Sequence, residues 1–362
     1  MDNFTCIQEI VLAARRRLDK NVWDFVVGGA ESETTVKRNR AAWDSLAFQP
    51  EPFNDVEDID TKTTLLSRQM RLPVILAPMG SVNSIDPAGS LAQVKAANKF
   101  NCIAFISGVA QPATPEVASK AVNGLVHTVY VAGDRAWLRD ELDEVLQTNI
   151  DAIAMLADTA YFGRRERDLL NHYHSKVPNT HTRSELKSNR YSSRITWQDI
   201  EWVKQYSGLP LVIKGIHTSK AARMALEHGA DIIYVSNHGG RQLDHLPGCA
   251  DVLPDIVETV NDVAPIIVDG GIWRGSDLVK AIGLGATAVG IGRLQALALA
   301  AGGADGLVRA LEILEYETLV TMGLLGVDSI DKIEPNHLRK GSSVTSPDVF
   351  STLPQIKAIF NE

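Results

Sequence analysis

The chain has 362 residues, of which 45% are hydrophobic and 22% are charged, a composition typical of a globular enzyme. Its formal net charge of −8 at pH 7 argues against nucleic acid as a partner, because phosphate binding requires clustered positive charge. No run of about 18 apolar residues predicts a membrane span, and no basic stretch before an apolar one predicts a secretory signal. The three scattered cysteines predict free thiols and a cytoplasmic protein.

Residues 1–70 precede the first predicted strand. They contain two stretches with helical patterning, 7–18 and 22–27, followed by a polar connector. We expect this N-terminal segment to cap or flank the main fold.

Eight short apolar runs follow in the remainder of the chain. They are continuous and do not alternate with polar residues, as expected of strands that are buried on both faces of a parallel sheet. The runs are residues 72–77, 102–107, 125–131, 152–157, 210–214, 231–236, 265–269 and 286–290.

Helix-like stretches separate most of these runs. Residues 218–229 begin with a capping Thr and end with Gly, and residues 276–285 repeat this pattern. Eight such units predict an α/β fold of the (β/α)8 TIM-barrel type, formed by residues 1–362 as a single domain. The alternative is a doubly wound open sheet, which is disfavoured because no dinucleotide-binding fingerprint follows the first strand.

Residues 159–200 form a long insertion between the fourth and fifth strands. Long insertions at the C-terminal face of a barrel are often lids, but a solvated loop is an equally good interpretation of residues 172–195. His172 and His174 resemble a metal site only weakly, since no cysteine or carboxylate accompanies them, and we expect no metal. The other basic residues of the insertion are Arg164, Arg165, Arg167, Lys176, His181, Arg183, Lys187, Arg190 and Arg194.

In a barrel of this kind the active site lies where the strands end. The residues at the predicted strand ends form a convergent polar and glycine-rich set. This set comprises Pro78, Met79, Gly80, Ser107, Tyr130, Asp158, Lys214, Ser236, His238, Asp269, Gly270, Gly271, Gly292 and Arg293.

The segment Ser-Asn-His-Gly-Gly-Arg-Gln-Leu-Asp at 236–244 is the most informative part of this set. His238 can accept a proton, and Arg241 can bind an anion three residues later. Gly239 and Gly240 allow a tight turn. Asp158 comes from another strand end and can stabilise a protonated His238. A purely structural histidine is the alternative interpretation.

Lys214 ends the fifth strand, where burial of its charge requires an anionic partner. A Schiff base, a contact with an anionic cofactor and a structural ion pair all remain open. The glycine-rich loops after strands seven and eight, together with Arg274 and Arg293, favour a phosphate group. Glycines that serve only tight turns are the alternative.

From about residue 22 to residue 340 the chain resembles the FMN-dependent α-hydroxy-acid oxidases and dehydrogenases. The segment 236–242 is similar to the active-site signature of that family, and Gly-Arg-Arg-Glu at 163–166 and Leu-Val-Ile-Lys-Gly at 211–215 also match. The resemblance implies FMN as cofactor and oxidation of an (S)-2-hydroxy acid to a 2-oxo acid. It also implies a homotetramer, with O2 or another carrier as electron acceptor.

The resemblance assigns a role to each matching residue. His238 would be the base and Asp158 would stabilise its imidazolium, while Arg165 and Arg241 would bind the substrate carboxylate and Tyr130 would hydrogen-bond the substrate. Lys214 would lie at the N1/O2 edge of the flavin. The other cofactor contacts would be Pro78, Met79, Gly80, Ser107 and Ser236 at the ring, Asp269 at the ribityl chain, and Gly270, Gly271, Gly292 and Arg293 at the phosphate.

The chain departs from the family pattern at several positions. Phe25 replaces a tyrosine that binds the substrate carboxylate, which favours an aromatic or bulky acid. Trp273 replaces the phosphate-binding arginine, so that either flavin affinity is reduced or Arg274 substitutes for it. Thr128 stands where a glutamine contacts the flavin and Val109 where a tryptophan lies near the substrate. Gly80 replaces an alanine near N5, which favours a dehydrogenase over a fast oxidase.

Three other functions remain compatible with the sequence. The first is an FMN-dependent isomerase on the same barrel, against which the arginine pair and His238 argue. The second is a flavoprotein that has lost or changed its catalytic role. The third is an oxidoreductase of a hydroxy-acid derivative, such as an ester, an amide or a carrier-bound acid.

Overall fold

The computed structural model describes residues 4–173, 192–342, 344 and 346–356. Eight parallel strands close into a barrel with the order β10-β11-β4-β5-β6-β7-β8-β9. These strands are β4 (Val74–Leu76), β5 (Ile103–Ser107), β6 (Leu125–Val129), β7 (Ala152–Leu156), β8 (Leu211–Ile216), β9 (Ile232–Val235), β10 (Ile266–Val268) and β11 (Ala288–Ile291). The predicted TIM barrel is confirmed, and the open doubly wound sheet is wrong because β11 pairs with β4.

The strands form from the apolar runs because both faces of each strand are buried. Side chains that point out of the barrel pack against the surrounding helices in one large cluster. Side chains that point inward form a second cluster, which includes Ile75, Phe105, Val212 and Tyr234. The barrel interior is therefore packed, and any ligand must bind above this inner layer.

Among the described residues, nine α-helices come after the first barrel strand in the sequence. They are α4 (Ser90–Phe100), α5 (Thr114–Ala118), α6 (Arg135–Leu146), α7 (Glu166–Leu170), α8 (Trp197–Ser207), α9 (Ser219–Glu227), α10 (Cys249–Val260), α11 (Gly275–Gly283) and α12 (Arg293–Leu325). The expected cap of α9 is present, since the Thr218 side chain accepts a hydrogen bond from the Ala221 N–H. Non-helical backbone at Gly302 and Gly303 divides α12.

The N-terminal segment contributes three helices, α1 (Ile7–Arg17), α2 (Lys20–Val27) and α3 (Thr34–Asp44). Helix α1 packs along α12, and α3 contacts the turn at 238–240. Four short strands lie outside the barrel. Strand β1 (Leu46–Phe48) pairs with β12 (Leu338–Lys340), and β2 (Thr63–Leu65) pairs with β3 (Arg68–Met70). This segment therefore flanks the barrel and approaches its C-terminal end.

The insertion is described only in part, and α7 and α8 lie at its two ends. The expectations for His174, Lys176, His181, Arg183, Lys187 and Arg190 lie outside the described residues. Every helix in the described ranges is too short or too polar to cross a bilayer.

Candidate active site

A cavity opens at the C-terminal ends of the barrel strands. Strand β8 and the loops after the other seven barrel strands contribute to its wall, and so do helices α2 and α3. Of the residues expected from the strand ends, the lining includes Pro78, Met79, Gly80, Tyr130, Lys214, His238, Asp269, Gly270, Gly271, Gly292 and Arg293. Barrel closure thus brings groups from distant parts of the sequence to one place.

The turn at 238–240 fixes the position of His238. His238, Gly239 and Gly240 have positive φ angles of 56°, 62° and 76°. A Cβ atom on Gly240 would lie 2.8 Å from the backbone nitrogen of Val36, so only glycine fits there. The His238 N–H donates to Ser236 Oγ at 3.0 Å. The His238 backbone is held in this conformation by its neighbours.

Asn237 ties this turn to the N-terminal segment. Its side-chain amide pairs with that of Asn39 in both directions, at 2.9 and 2.8 Å. The Asp244 carboxylate, on the same loop, accepts a hydrogen bond from the Thr35 N–H at 2.7 Å. Helix α3 is therefore part of the support for the active-site turn.

His238 and Asp158 form a hydrogen-bonded pair. The His238 Nδ1 lies 3.2 Å from both carboxylate oxygens of Asp158. Burial lowers the pKa of His238, and the nearby Asp158 charge opposes this only in part. Burial acts to raise the pKa of Asp158, but His238 and Lys214 hold it below its usual value. The pair is a neutral imidazole beside a carboxylate, and Nε2 is the ring nitrogen left for a substrate.

Arg165 and Arg241 bring two positive charges to the same end of the cavity. Burial lowers the pKa of both, and that of Arg241 falls further because Arg165 lies close to it. Arg241 Nη1 donates to the carbonyl oxygens of Phe25 at 2.6 Å and Gly28 at 3.0 Å. Its guanidinium lies 4.8 Å from the ring centroid of Phe25. Two adjacent cations favour the binding of an anion between them.

Aromatic rings surround this cationic end. Tyr130 stacks on Phe162 with centroids 5.7 Å apart, and Phe25 lies 5.7 Å from Tyr173. Burial raises the pKa of Tyr130, so that its hydroxyl stays protonated and can donate a hydrogen bond. The expected substrate-binding residues Tyr130 and Phe25 are both cavity residues.

Lys214 lies on the floor of the cavity in a buried polar network. Its Nζ donates to Ser236 Oγ at 2.8 Å and lies 3.3 Å from Asp269 Oδ2. Ser236 Oγ donates to Asp269 Oδ1 at 2.5 Å. The anionic partner required by the buried lysine is therefore Asp269, while Lys214 also faces the cavity. Lys214 can therefore form the structural ion pair with Asp269 and still contact a cofactor in the cavity.

Two other expected cofactor contacts lie on adjacent strands of the barrel. Ser107 of β5 is paired in register with Thr128, which follows within β6, and both are buried. Among the described residues, Thr128 Oγ1 has no hydrogen-bond partner. Gly80 keeps the wall open, since a Cβ atom there would lie 2.9 Å from Val109.

The loops after β10 and β11 form a second part of the cavity wall, which we call the distal end, with Gly270, Gly271, Trp273, Gly292 and Arg293. Helix α12 begins at Arg293, and the N-terminus of a helix favours a phosphate group. A Cβ atom on Gly292 would meet nothing within 4 Å. The Arg293 guanidinium donates to the carbonyl oxygens of Val27, Gly28 and Gly239.

Arg274 does not join the residues of the distal end. Its Nη2 lies 2.9 Å from Glu317 Oε1 and its Nε donates to Glu317 Oε2 at 3.1 Å. Trp273 lines the cavity and packs on Phe350, with ring centroids 5.4 Å apart. Trp273 and Arg274 are neighbours in sequence, but only Trp273 lines the cavity.

Sequence reasoning missed residues that line the cavity from outside the barrel, namely Val36, Asn39, Arg40 and Val349. Arg40 is buried between Asp277 and Asp44, and its Nε has no hydrogen-bond partner among the described residues. The spacing of Arg40 and Asp44 on one helix was a usable signal for their ion pair. Val349 carries no sequence signal.

Comparison with known proteins identifies the family. A family model described as FMN-dependent dehydrogenase matches residues 14–340. The chain belongs to this family. It is an oxidoreductase whose cofactor is FMN, as expected from the sequence.

Two curated relatives cover nearly the whole chain. A peroxisomal (S)-2-hydroxyacid oxidase of Arabidopsis thaliana is 35% identical over an alignment of 353 positions, which covers 94% of this chain and 97% of the relative. Glycolate oxidase of Spinacia oleracea is 32% identical and covers 92% of this chain and 95% of its own length. This family member is therefore similar to its relatives over their full fold.

Two groups of solved structures resemble the chain. The monotopic membrane protein (S)-mandelate dehydrogenase has a TM-score of 0.87 at 26% identity, covering 94% of this chain and 100% of its own. A mandelate oxidase variant has a TM-score of 0.85 at 31% identity, covering 94% and 99%. Both likenesses extend over the barrel and its flanking segments.

The cavity fits FMN at both of its ends. A buried ammonium and a hydroxyl, from Lys214 and Ser236, suit the polar edge of a flavin ring. The open side of Gly292 and the N-terminus of α12 suit a phosphate. The residues present are therefore compatible with FMN, although Trp273 stands where the family pattern has an arginine for the phosphate.

Proposed function

We propose that this enzyme oxidises an (S)-2-hydroxy acid with an aromatic or otherwise bulky side chain to the 2-oxo acid. The observation that carries the proposal is the His238–Asp158 pair beside the adjacent cations of Arg165 and Arg241. A base next to an anion-binding site is what proton removal from a hydroxy acid requires. The names of the relatives, which are hydroxyacid oxidases and mandelate enzymes, support the same reaction class.

In this proposal each residue has one task. Arg165 and Arg241 bind the substrate carboxylate, and the Tyr130 hydroxyl hydrogen-bonds the substrate, so that the reacting carbon is held in place. His238 Nε2 takes up a proton of the substrate. Asp158 then stabilises the imidazolium through Nδ1.

FMN, when bound, would accept the two electrons and the second proton of the substrate, which together are equivalent to a hydride. We assign Lys214 to the N1/O2 edge of its ring, where the ammonium stabilises negative charge. The remaining contacts that we propose are Pro78, Met79, Gly80, Ser107, Thr128 and Ser236 along the ring, Asp269 at the ribityl chain, and Gly270, Gly271, Gly292 and Arg293 at the phosphate. Electrons then pass to O2 or to another carrier.

The preference for a bulky acid rests on the aromatic wall. Phe25 offers a ring and no hydroxyl at the position where the family pattern has a tyrosine, and Tyr173 packs against it. A small acid such as glycolate would leave this apolar wall in contact with water, whereas an aromatic side chain would cover it.

We further propose a single-domain cytoplasmic enzyme that assembles as a homotetramer. The lid expected for the insertion at 159–200 includes residues 174–191, which lie outside the described residues. The free cysteines Cys6, Cys102 and Cys249 are compatible with a reducing compartment. Tyr316, Val320 and Leu324 are exposed at four-residue spacing on α12, which supports a subunit contact. Sedimentation equilibrium of the purified protein measures the oligomeric state.

Anaerobic reduction of the flavin tests the proposed reaction. The FMN-loaded enzyme is mixed with (S)-mandelate, (S)-lactate, glycolate or a long-chain 2-hydroxy acid, and the visible flavin absorbance is followed. We expect (S)-mandelate to bleach the flavin at a lower concentration than glycolate. The methyl ester and the amide of mandelate serve as uncharged controls and should react poorly.

The outcomes separate the alternatives. A flavin that no free acid bleaches, but that the ester or amide does, would show that the carboxylate site serves a derivative. The rate at which air restores the colour distinguishes an oxidase from a dehydrogenase.

A further inference from the structure

The inner layer of the barrel, directly below the cavity, contains one hydroxyl that the proposed reaction does not use. Tyr234 lies on β9 with its side chain fully buried in the inner cluster. Its ring meets that of Phe105 edge to face, with centroids 5.9 Å apart and an interplanar angle of 85°. A buried tyrosine hydroxyl normally requires a hydrogen-bond partner.

The space for this hydroxyl is provided by Gly290 on β11, which is two strands away from β9 in the barrel. A Cβ atom on Gly290 would lie 2.1 Å from the Tyr234 hydroxyl oxygen, so that any other residue at 290 would displace it. Gly290 is also part of the cavity wall. The hydroxyl therefore reaches the β11 side of the barrel, just beneath the cofactor cavity.

Two charged groups of the cavity floor lie against Tyr234. The Lys214 ammonium is 4.9 Å from the centroid of its ring. After burial, the Asp269 carboxylate is the main cause of the strongly raised pKa of Tyr234, so that the hydroxyl remains protonated beside it. Among the described residues, the hydroxyl has no complete hydrogen bond in this state.

The Asp269 carboxylate has competing donors. It accepts a hydrogen bond from Ser236 and lies in an ion pair with Lys214. A buried carboxylate that accepts hydrogen bonds from hydroxyl groups is already partly stabilised, so it attracts the lysine ammonium less strongly. A carboxylate with fewer hydrogen-bond donors attracts the ammonium more strongly. Tyr234 is the remaining hydroxyl close to Asp269, because the position of a Cβ atom on Gly290 is 2.1 Å from its oxygen and 3.2 Å from Asp269 Cβ.

We propose that Tyr234 is a positioning residue: its hydroxyl serves as a second donor to Asp269 and thereby leaves the Lys214 ammonium available to the cofactor ring. Gly290 is required because it admits the hydroxyl. The consequence is a higher reduction potential of the bound FMN, since an available cation stabilises the negative charge of the reduced ring. The proposal rests on FMN binding above Lys214 and not on the identity of the substrate.

The test measures the reduction potential of the FMN-loaded enzyme by equilibration with a redox dye, without substrate. Tyr234→Phe removes only the hydroxyl and should shift the reduction equilibrium about tenfold towards oxidised FMN. For a two-electron couple this is a fall of about 30 mV. FMN affinity, measured by fluorescence quenching, should change less than about threefold.

Two further variants separate positioning from packing. Phe105→Leu disturbs the aromatic contact in the same layer but keeps the hydroxyl, and it should leave the potential unchanged. Gly290→Ala displaces the hydroxyl and should lower the potential as Tyr234→Phe does. The inference is overturned if Tyr234→Phe has the wild-type potential, or if Phe105→Leu lowers it equally. Since no substrate is present, these results do not depend on whether a hydroxy acid is oxidised.

Discussion

The two ends of the cavity differ in how well the sequence predicts which side chains line them. At the reactive end, His238, Asp158, Arg165 and Arg241 lie together as the family resemblance implies. At the distal end, Arg293 lines the cavity as expected, but Arg274, also expected there, pairs with Glu317 and does not line the cavity. Arg241 and Arg293 donate to backbone carbonyl oxygens at the cavity, whereas Arg274 pairs with a carboxylate outside it. The difference teaches that the nearest acceptor decides where a long arginine side chain lies, even when its backbone is at the expected place.

The largest effect is expected at the reactive end, from His238→Asn. Asparagine tolerates the positive φ of 56° at this position, so that the turn should be preserved. Loss of the base should slow anaerobic flavin reduction by about 10³-fold. Stopped-flow absorbance gives the rate, and the flavin spectrum shows that FMN is still bound. A variant that turns over at a near-normal rate would falsify the assignment of His238.

Asp158→Asn should lower the rate of flavin reduction by about 10²-fold, because the imidazolium loses its stabilising charge. It should also change the pH profile. His238 must be neutral to accept a proton, so kcat/KM falls as the pH drops through the pKa of His238, which burial holds below its usual value. Since Asp158 raises that pKa, its removal should move the acid limb to lower pH.

A shift of the acid limb to higher pH in Asp158→Asn would contradict the pairing seen in the structure. The acid limb is obtained by measuring kcat/KM over the pH range in which the flavin spectrum of the enzyme does not change. The His238→Asn variant is the control, because an acid limb that persists there belongs to another group.

The carboxylate site gives the next effect. Arg165→Met should raise KM for a 2-hydroxy acid about 10- to 100-fold, as expected for loss of one hydrogen bond to a charged group, worth about 1.5–3 kcal/mol. The neighbouring Arg164→Met is a matched control, since Arg164 is exposed and pairs with Glu166. Equal effects of the two substitutions on KM would remove Arg165 from the site.

The smallest effect, a change in FMN affinity, is expected at the distal end. It tests directly whether the two ends of the cavity differ. Arg274→Met should change the dissociation constant of FMN less than about threefold, because the guanidinium is bound by Glu317 and does not line the cavity. Arg293→Met should weaken FMN binding more, and riboflavin binding less than FMN binding. If Arg274→Met instead weakens FMN binding more than riboflavin binding, Arg274 contacts the phosphate. The sequence would then have predicted both ends of the cavity equally well.

The barrel and the reactive end could be predicted because each depends on local signals. Apolar runs define the strands, and a strand end followed by His238, Gly239 and Gly240 defines a site regardless of the rest of the fold. The distal end could not be predicted to the same degree. The pairing of Arg274 with Glu317 joins residues 43 positions apart, and no spacing rule anticipates it.

Contributions from the chain termini were also beyond sequence reasoning. Helical patterning predicted α1 and α2, but their contacts with α12 and the cavity depend on packing between distant segments. Val349 reaches the cavity through the position of Phe350 between Trp23 and Trp273. Such contacts follow from tertiary structure and leave no periodic pattern in the sequence.

The amide pair between Asn39 and Asn237 has a consequence for how the protein is made. The two residues are 198 positions apart. At a synthesis rate of about 5–20 residues per second, helix α3 leaves the ribosome roughly 10–40 s before its partner turn exists. During that interval its apolar face, including Val36 and Trp43, lacks the surface that later buries it. Chaperone occupancy of nascent chains should therefore begin at the first helices and end only when the turn at 237–240 has emerged.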